Sequence, residues 1–281
     1  MAYQPVIKWS GSKRSQAKSI IDYFPSTINT YYEPFVGGGS VLYTLLHSEK
    51  KAKHYICSDI NKDLIALWNM IKENPQQLIN SYNQHWHTLN TNNEHLNPTD
   101  YLEQKKKYFY QVRDSLNTYH KPEDFLFILR TTTNGLVRYN QKGEFNNSFH
   151  ITRNGIHPEK LARIIQEWSA MLNQYDVYFC CRSYDAVQSQ KGDVVYLDPP
   201  YANTKGMYFG AIDYEMFWEW LTGQEGNYFL SFDGKSGDLD NTYQVPTHLY
   251  TQHEYLSSGC SSFKRLRGKG TYYVQESLYI K

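Results

Sequence analysis

The sequence is poor in cysteine and lacks long apolar runs. Four cysteines occur among 281 residues, and no two of them form a CxxC pair. Such a set provides neither a disulfide framework nor the usual spacing of a zinc site, so we expect a reducing compartment and no bound metal. No run of 18 apolar residues occurs, and the opening MAYQPVIKWSGSK has no apolar signal core. We therefore expect no export, no membrane association and a cytoplasmic location.

The chain also lacks an excess of charge of either sign. It has 29 Lys and Arg against 28 Asp and Glu, so the formal net charge is +1. Any binding to nucleic acid must therefore come from local basic clusters rather than from the chain as a whole. A hydrophobic fraction of 40%, with 16% aromatic residues, is ample for a buried core.

The first part of the chain alternates strand-like and helix-like segments. Helical spacing over 18–24 is followed by an aromatic strand over 30–36 and a helix that opens with GGGSVLYTLL. A second strand, HYICSDI, precedes a helix over 61–75. This β-α-β-α order predicts an α/β fold with an open, mostly parallel sheet and helices on its faces.

From about Asn74 the chain becomes polar and is expected to be helical through Lys121. The segment Leu136 to Phe149 then resembles a hairpin that turns at residues 141–143. A helix over 161–172 and the strands DVYFC, GDVVYLD, NYFLSFD and TYYVQESLYI follow. The pattern predicts one α/β domain built from both ends of the chain, with a polar insertion between them.

The strongest local feature is the sequence Asp198-Pro199-Pro200-Tyr201, directly after an apolar strand. Proline has a fixed φ and no backbone N–H, so two successive prolines make the chain leave the sheet there. The aspartate and the carbonyls are therefore held rigidly where the strand ends. Rigid oxygens beside an aromatic ring suit a planar substrate that offers an amino group and a π face. The alternative is an aspartate that merely caps a stiff turn.

A glycine-rich turn, EPFVGGGS over 33–40, lies between the first strand and the next helix. Glycines let the backbone approach a ligand at the start of a helix. The dinucleotide fingerprint GxGxxG fails because position 42 is leucine, which disfavours a nicotinamide dehydrogenase. Asp59 ends the second strand, a position that suits a carboxylate bound to ribose hydroxyls. Taken alone, a glycine turn or a strand-end acid is common.

In this order the motifs resemble the Dam-type (D12 class) family of N6-adenine DNA methyltransferases. The shared features are KWSGSK at 8–13, EPFVGGGS, DIN at 59–61, SYD at 183–185 and DPPY. The family's hairpin pattern is matched by Arg130, Asn134, Gly135, Leu136, Arg138, Asn140, Gly143, Phe145 and Asn146. The resemblance implies a Rossmann-like methyltransferase domain, 1–73 and 171–281, and a mostly helical target-recognition domain, 74–170, that carries the hairpin.

The resemblance implies methyl transfer from S-adenosyl-L-methionine to the N6 of a flipped adenine, without metal, with S-adenosyl-L-homocysteine as the product. Asp198, Pro199, Pro200 and Tyr201 are then the catalytic residues. The implied cofactor-binding residues are Trp9, Lys13, Glu33, Phe35, Gly37, Gly39, Ser40, Asp59, Ile60, Tyr184 and Asp198. Asp59 is expected on the ribose, and Trp9 and Lys13 are expected to close over the ligand.

Double-stranded DNA is the implied partner, together with a possible cognate restriction endonuclease. The implied DNA-binding residues are Lys8, Arg130, Asn134, Leu136, Arg138, Asn140, Ser148, Lys264 and Arg265. Arg138 suits a bidentate contact with guanine, with a phosphate contact as the alternative. Thr133, Ser148 and His150 depart from the family pattern, so the recognition sequence GATC cannot simply be carried over from the family.

Two other functions stay open at this point. A DPPY pocket recognises an amino group on a flipped base, so N4-cytosine methylation of DNA or adenine methylation of RNA is an alternative reaction. A catalytically silent DNA-binding module is a second alternative, although it has no chemical need for Asp59, Asp198 and Tyr201 together. The leading hypothesis is a DNA adenine methyltransferase of a restriction-modification system, a phage or an orphan enzyme.

Overall fold

The computed structural model describes residues 4–91, 96–133, 137–201, 212–237, 239–260 and 273–281. The helices are α1 Ala17–Asp22, α2 Ser40–His47, α3 Lys62–Glu73, α4 Pro75–Asn90, α5 Pro98–Tyr119, α6 Pro122–Thr131, α7 Pro158–Gln174 and α8 Tyr214–Thr222. The strands are β1 Thr27–Glu33, β2 Lys51–Asp59, β3 Val177–Cys181, β4 Val194–Leu197, β5 Asn227–Ser236, β6 Leu239–Asp240, β7 Gln252–Cys260 and β8 Tyr273–Ile280.

The strands form one sheet in the order β3-β2-β1-β4-β5-β8-β7, with β6 paired to β5. The first five strands in this order are parallel, and β8 is antiparallel to both of its neighbours. The predicted open, mostly parallel sheet is therefore confirmed. The chain order reverses between β1 and β4, and in such sheets the crevice at the carboxyl ends beside that reversal binds ligands.

Strand β4 is buried on both faces of the sheet, which explains its unbroken apolar sequence. Val194 and Tyr196 belong to the apolar core on one face, and Val195 and Leu197 belong to the core on the other. All four side chains are at most 1% exposed. This strand therefore holds the start of the DPPY corner firmly in the middle of the sheet.

The helices of the middle segment share a core with the sheet. Leu78, Phe109 and Phe125 lie in the same cluster of buried residues as Tyr31 and Tyr55 of the sheet. The expectation that helix formation stops at Lys121 is wrong, because α6 begins at the next residue. A proline at its first position and acidic residues in its first turn favour that start.

The predicted hairpin is present only as an irregular loop within residues 137–149. Its turn lies at 141–143, and isolated bridges join Tyr139 to Phe145 and Thr132 to Phe149 in place of regular strands. The Oδ1 of Asn140 accepts hydrogen bonds from the backbone N–H groups of Lys142 and Glu144, at 2.9 and 3.0 Å. The bond from the Glu144 N–H takes the place of one backbone bond between the arms. Two backbone bonds remain: the N–H of Asn140 donates to the Glu144 carbonyl at 2.8 Å, and the N–H of Asn146 donates to the Arg138 carbonyl at 3.0 Å.

Three elements of the second half, α8, β6 and β7, were not predicted from the sequence. Strand β7 pairs with β8 and closes the antiparallel end of the sheet. Across the described residues, no helix combines the length and apolarity needed to cross a membrane. The same residues contain no group of three or more His, Cys, Asp or Glu side chains that could hold a metal ion.

Candidate active site

Three acidic residues meet at the carboxyl edge of the sheet. Glu33 is the last residue of β1, Asp59 is the last residue of β2, and Asp198 directly follows β4. All three line one cavity, together with residues 9–13, the glycine turn and the DPPY corner. Because β1, β2 and β4 are parallel neighbours, their carboxyl ends bring the three acids to one edge of the sheet.

The glycine turn has the backbone geometry for which glycine is needed. Gly37 and Gly39 have φ of +45° and +67°, values that residues with a Cβ rarely adopt. A Cβ on Gly37 would lie 2.9 Å from the indole ring of Trp9, which lines the same cavity. The indole N–H of Trp68 donates to the Gly37 carbonyl at 3.0 Å. Trp9 can therefore pack directly on the turn.

Asp59 is held at the strand end by backbone donors. The N–H of Asn61 donates to its Oδ1 at 3.0 Å. Burial raises the pKa of Asp59 to about 6, although backbone hydrogen bonds from Asn61, Gly37 and Ile60 oppose the shift. Asp59 is still mainly ionised at neutral pH, so its carboxylate can accept hydrogen bonds from a pair of hydroxyl groups.

One wall of the cavity is apolar and aromatic. The rings of Phe35 and Tyr184 stack with centroids 5.8 Å apart, and both pack against Phe217. Ile60 also lines the cavity and is 42% exposed. A large apolar side chain in that position can cover the face of a bound purine.

Lys13, which also lines the cavity, joins two carboxylates. Its Nζ lies 2.7 Å from Asp198 Oδ1 and 3.3 Å from Glu276 Oε2, and it donates to the Gly11 carbonyl at 3.2 Å. Burial opposes the positive charge, but Asp198 and Glu276 outweigh it, and the pKa of Lys13 is raised. Lys13 is therefore an ammonium ion that bridges β4 and β8.

The pKa of Asp198 is raised to about 6, chiefly by burial. The positive charge of Lys13 lowers it, and the negative charge of Glu276 raises it. The side chain of Asp198 remains 20% exposed, towards the cavity. At neutral pH this residue is thus largely a carboxylate with a face open to a substrate.

The rest of the corner is also fixed by hydrogen bonds. The hydroxyl of Tyr201 donates to Glu276 Oε2 at 2.9 Å, and the Nζ of Lys13 lies 5.0 Å from the centre of its ring. The hydroxyl of Tyr214 donates to the Pro200 carbonyl at 2.7 Å. These contacts hold the aromatic ring and the two prolines in one orientation before any ligand binds.

Glu33 is the most deeply buried of the three acids, at 3% exposure. The Tyr31 hydroxyl donates to its Oε2 at 2.8 Å. Burial raises the pKa of Glu33 to about 8, and the hydrogen bond from Tyr31 only partly offsets this. Glu33 is therefore mainly protonated at neutral pH.

A model of the D12 class N6 adenine-specific DNA methyltransferases matches residues 9–238 of the chain, which include almost the whole cavity. The chain belongs to this family. Family membership and the order of strands in the sheet confirm the predicted α/β, Rossmann-like methyltransferase fold.

Several curated members of the D12 family are similar in sequence. The chain is 33% identical to the DNA adenine methylase of Haemophilus influenzae over 203 residues, which are 72% of this chain and 65% of that protein. It is 30% identical to the type II methyltransferase M1.LlaDCHI of Lactococcus lactis over 70% of this chain and 66% of that protein. The chain thus spans just under two thirds of the length of these two relatives.

A third relative is the type II methyltransferase M.MjaIII of Methanocaldococcus jannaschii, with 32% identity over 72% of this chain and 70% of that protein. Among solved structures, an rRNA methyltransferase from Streptomyces viridochromogenes has a TM-score of 0.40 and 13% identity, over 99% of this chain and 91% of that chain.

Nearly all of the cofactor-binding residues predicted for this D12 protein line the cavity. Gly39 is the exception, because it caps α2 behind the turn, where a Cβ would lie 2.9 Å from the ring of Trp68. Ser40 lines the cavity, and its Oγ accepts a hydrogen bond from the Lys13 backbone N–H at 3.1 Å. Lys13 was expected to close over the cofactor, and the structure pairs it with Asp198.

The predicted DNA-binding residues have mixed environments. Arg138 and Ser148 are exposed, but Asn140 is used within its own turn, where its Nδ2 donates to Glu144 at 2.7 Å. The guanidinium of Arg130 donates to the backbone carbonyls of Pro5 and Val6, which makes it a tether for the N-terminal segment. Asn134, Leu136, Lys264 and Arg265 lie outside the described residues.

Lys8 lies in a positively charged environment. Its pKa is lowered to about 8, chiefly by burial and also by the neighbouring charges of Arg153 and Arg130. Cations gathered in this way repel one another, and a bound anion would relieve the repulsion. The role of Lys8 near DNA stays a prediction.

Sequence reasoning missed Glu276, the acid that contacts both Lys13 and Tyr201. It lies in the strand sequence YVQESLYI, where nothing distinguishes it from a surface acid of an edge strand. The residues it contacts are 75 positions or more away along the chain. Pairing of β8 with β5 is what brings Glu276 to the cavity.

Proposed function

We propose that this chain is a site-specific DNA methyltransferase that transfers the methyl group of S-adenosylmethionine to the N6 of adenine in duplex DNA. The observation that carries the proposal is the single cavity lined by the glycine turn, Asp59 and the DPPY corner. A donor bound on the turn and an amine held at Asp198 would share one enclosed space. Membership in the D12 family supports the same reaction.

The chemistry of the cavity fits S-adenosylmethionine. Asp59 offers a carboxylate to the ribose hydroxyls, and Phe35 and Ile60 offer apolar surface to the adenine. Glu33 and the glycine turn would hold the methionine end, where an ammonium group favours the ionised form of a nearby acid. When bound, the cofactor supplies an electrophilic methyl group on a sulfonium sulfur.

The residues of the corner would hold and activate the amine. Asp198 and the Pro199 carbonyl accept hydrogen bonds from the two N6 hydrogens, which favours a lone pair localised on the nitrogen. A carboxylate has about four acceptor positions, so Lys13 on Oδ1 leaves room for the amine. The ammonium of Lys13 also keeps Asp198 ionised. The enzyme therefore works mainly by positioning the two reactants.

The target N6 lies inside the base stack, so we propose that the adenine is flipped out of the duplex. Unstacking costs a few kcal/mol, and stacking on Tyr201 would return about 1–3 kcal/mol. Contacts with phosphates would supply much of the rest. The exposed Arg14 and Lys18, with the predicted basic residues Lys264 and Arg265, are the candidates. Residues 74–170 would form the target-recognition domain within the catalytic domain 1–73 and 171–281.

Labelled S-adenosylmethionine and duplex DNA of varied sequence test the proposal. We expect N6-methyladenine at a defined site, identified by mass spectrometry of the nucleosides and by mapping methylated adenines in an expressing host. N4-methylcytosine, or methylation of RNA alone, would replace the proposal with one of the alternative reactions. Binding of DNA without any methyl transfer would indicate a silent binding module.

The cellular role of the enzyme is a separate part of the proposal. Type II methyltransferases among its relatives support a role in a restriction-modification system, with a phage or orphan enzyme as the other possibility. A role in restriction-modification predicts a cognate endonuclease that cuts the same site only when it is unmethylated. Digestion of methylated and unmethylated plasmid by the host extract tests that prediction.

A further inference from the structure

The segment Val137–Tyr139 connects the predicted DNA-reading loop to the proposed cofactor cavity. Val137 is 6% exposed and lines the cavity. Arg138, the predicted base-reading residue, is exposed. The hydroxyl of Tyr139 accepts a hydrogen bond from Asn61 Nδ2 at 2.8 Å. Within three consecutive residues, Val137 therefore lines the cavity, Arg138 faces solvent and Tyr139 is hydrogen-bonded to Asn61, just after β2.

Asn61 is rigidly placed on the cavity side. Its Oδ1 accepts hydrogen bonds from the N–H groups of Asp63 and Leu64, both at 3.1 Å, and so caps α3. Its own N–H donates to Asp59 Oδ1 at 3.0 Å. Because the two capping bonds fix which end of the amide is oxygen, the Nδ2 group must point to Tyr139.

The other side of the loop is anchored on α5. The ring of Tyr139 packs edge-on against Phe145, with centroids 5.9 Å apart. Asn117 of α5 donates to the Phe145 carbonyl at 3.0 Å and accepts from the Phe145 N–H at 2.7 Å. The carbonyl of Arg138 accepts from the N–H of Asn146 at 3.0 Å. Tyr139 thus lies between a support on α5 and a support at Asn61, which in turn is hydrogen-bonded to Asp59.

We propose that the hydrogen bond between Asn61 and Tyr139 couples occupancy of the cofactor cavity to recognition of DNA by Arg138, and that Tyr139 is a positioning residue. The inference rests on the proposed function. A ligand that contacts Val137 restrains one end of the segment directly. If it also contacts Asp59, it restrains the other end through Asn61 and Tyr139, and Arg138 between them is thereby oriented. Because coupling between two ligands is reciprocal, specific DNA must then also strengthen binding of the cofactor.

The test compares wild type with Tyr139→Phe, which keeps the ring and removes the hydroxyl. Fluorescence anisotropy gives the Kd for a duplex containing the mapped site and for a duplex with one base pair changed, each with and without saturating S-adenosylhomocysteine. In wild type we expect S-adenosylhomocysteine to tighten binding of the mapped duplex by about fivefold or more. Tyr139→Phe should bring this factor close to one, while binding of S-adenosylhomocysteine alone is unchanged.

Tyr82→Phe is the matched control. The Tyr82 hydroxyl is also hydrogen-bonded in the middle segment, to the Ile156 carbonyl at 2.9 Å, but Tyr82 does not line the cavity. Removal of the Tyr82 hydroxyl should leave the factor by which S-adenosylhomocysteine tightens DNA binding at the wild-type value. A second variant, Val137→Ala, removes the other contact with the cavity and should also reduce the factor.

The outcomes separate this inference from the proposed function. If wild type methylates adenine but Tyr139→Phe keeps full coupling, the inference is wrong and the function stands. Equal loss of coupling in Tyr139→Phe and Tyr82→Phe would also overturn it, because any loosening of the middle segment would then suffice. A wild-type protein that methylates no adenine would overturn both.

Discussion

At the scale of single residues, the charges around Asp198 decide what the corner can do. A buried carboxylate beside a second acid would tend to be protonated, and a protonated Asp198 would accept hydrogen bonds less well. The bridging ammonium of Lys13, 2.7 Å from Asp198 and 3.3 Å from Glu276, offsets this tendency. The three side chains act as one unit, so their effects on activity should not be additive.

Replacement of Asp198 should separate chemistry from binding. In Asp198→Ala we expect methyl transfer to fall by at least about 10²–10³-fold, as when one preorganised polar group at a reacting centre is lost. Binding of S-adenosylhomocysteine should stay close to wild type, because Asp59 and the glycine turn are untouched. Single-turnover methylation and calorimetry measure the two quantities.

The exposed Asp185→Ala provides the control for this prediction, since it removes an acid of the neighbouring SYD segment. It should change neither quantity appreciably. Equal loss of transfer and of ligand binding in Asp198→Ala would mean that Asp198 belongs to the cofactor site rather than to the amine site.

If Glu33 holds the ammonium group of the cofactor, as proposed, its ionisation should make binding of the cofactor dependent on pH. Its pKa is raised to about 8 in the free protein, and a bound ammonium group would favour the ionised form. Below pH 8, binding must therefore release a proton, and affinity for S-adenosylhomocysteine should fall as the pH drops towards 6. The slope can reach about tenfold per pH unit for one proton.

Calorimetry in two buffers with different ionisation enthalpies measures this proton release directly. In Glu33→Gln the side chain no longer titrates, so we expect weaker binding with a flatter pH profile. An unchanged slope in the variant would assign the proton to another group.

At the scale of elements, the loop over 137–149 presents Arg138 between a buried neighbour and a hydrogen-bonded neighbour. If Arg138 reads guanine, Arg138→Ala should reduce discrimination at one base pair by about 1–3 kcal/mol. Methylation rates on duplexes with single changes in the mapped site measure this. A uniform loss across all sequences would instead assign Arg138 to a phosphate.

Arg163→Ala is the control for this change, because Arg163 is an exposed arginine on α7, outside that loop. It removes the same charge from the protein and should leave the order of preferred sequences unchanged. The comparison separates base recognition from the general attraction between a cation and DNA.

Arg130 and Asn140 show how an element can use a residue that a motif assigns to a ligand. Both polar side chains form hydrogen bonds within the protein, one to the N-terminal segment and one within its own turn. The sequence pattern is the same whether such a side chain contacts DNA or supports the loop that does. Only the packing of α6 and of the turn distinguishes the two.

At the scale of the whole molecule, the middle helices and the sheet share a continuous core, so ligand binding at the edge of the sheet should stabilise the described fold as a unit. S-adenosylhomocysteine at 100 times its Kd should add about 2.7 kcal/mol to the free energy of unfolding. For a chain of this size that corresponds to a rise in Tm of about 5–10 °C.

Differential scanning fluorimetry checks this rise in Tm. Asp59→Ala should abolish most of it, whereas Asp114→Ala, an exposed acid on α5, should not. A rise of equal size in Asp59→Ala would mean that the ligand binds without the ribose contact.

The sequence by itself determined the α/β class, the parallel part of the sheet and the two motifs, the glycine turn and DPPY, that line the cavity. These features depend on local periodicity, on glycine and proline geometry, and on the rule that parallel strands end at the same edge. The presence of α6 was missed because its apolar residues follow directly on a polar helical stretch.

Only the tertiary structure decided which residues support those motifs. Glu276 reaches Lys13 because β8 pairs with β5, and Asn61 reaches Tyr139 because the loop folds back over the end of β2. Contacts of this kind join residues far apart in the chain. They depend on how the strands and helices pack, which no local pattern of residues encodes.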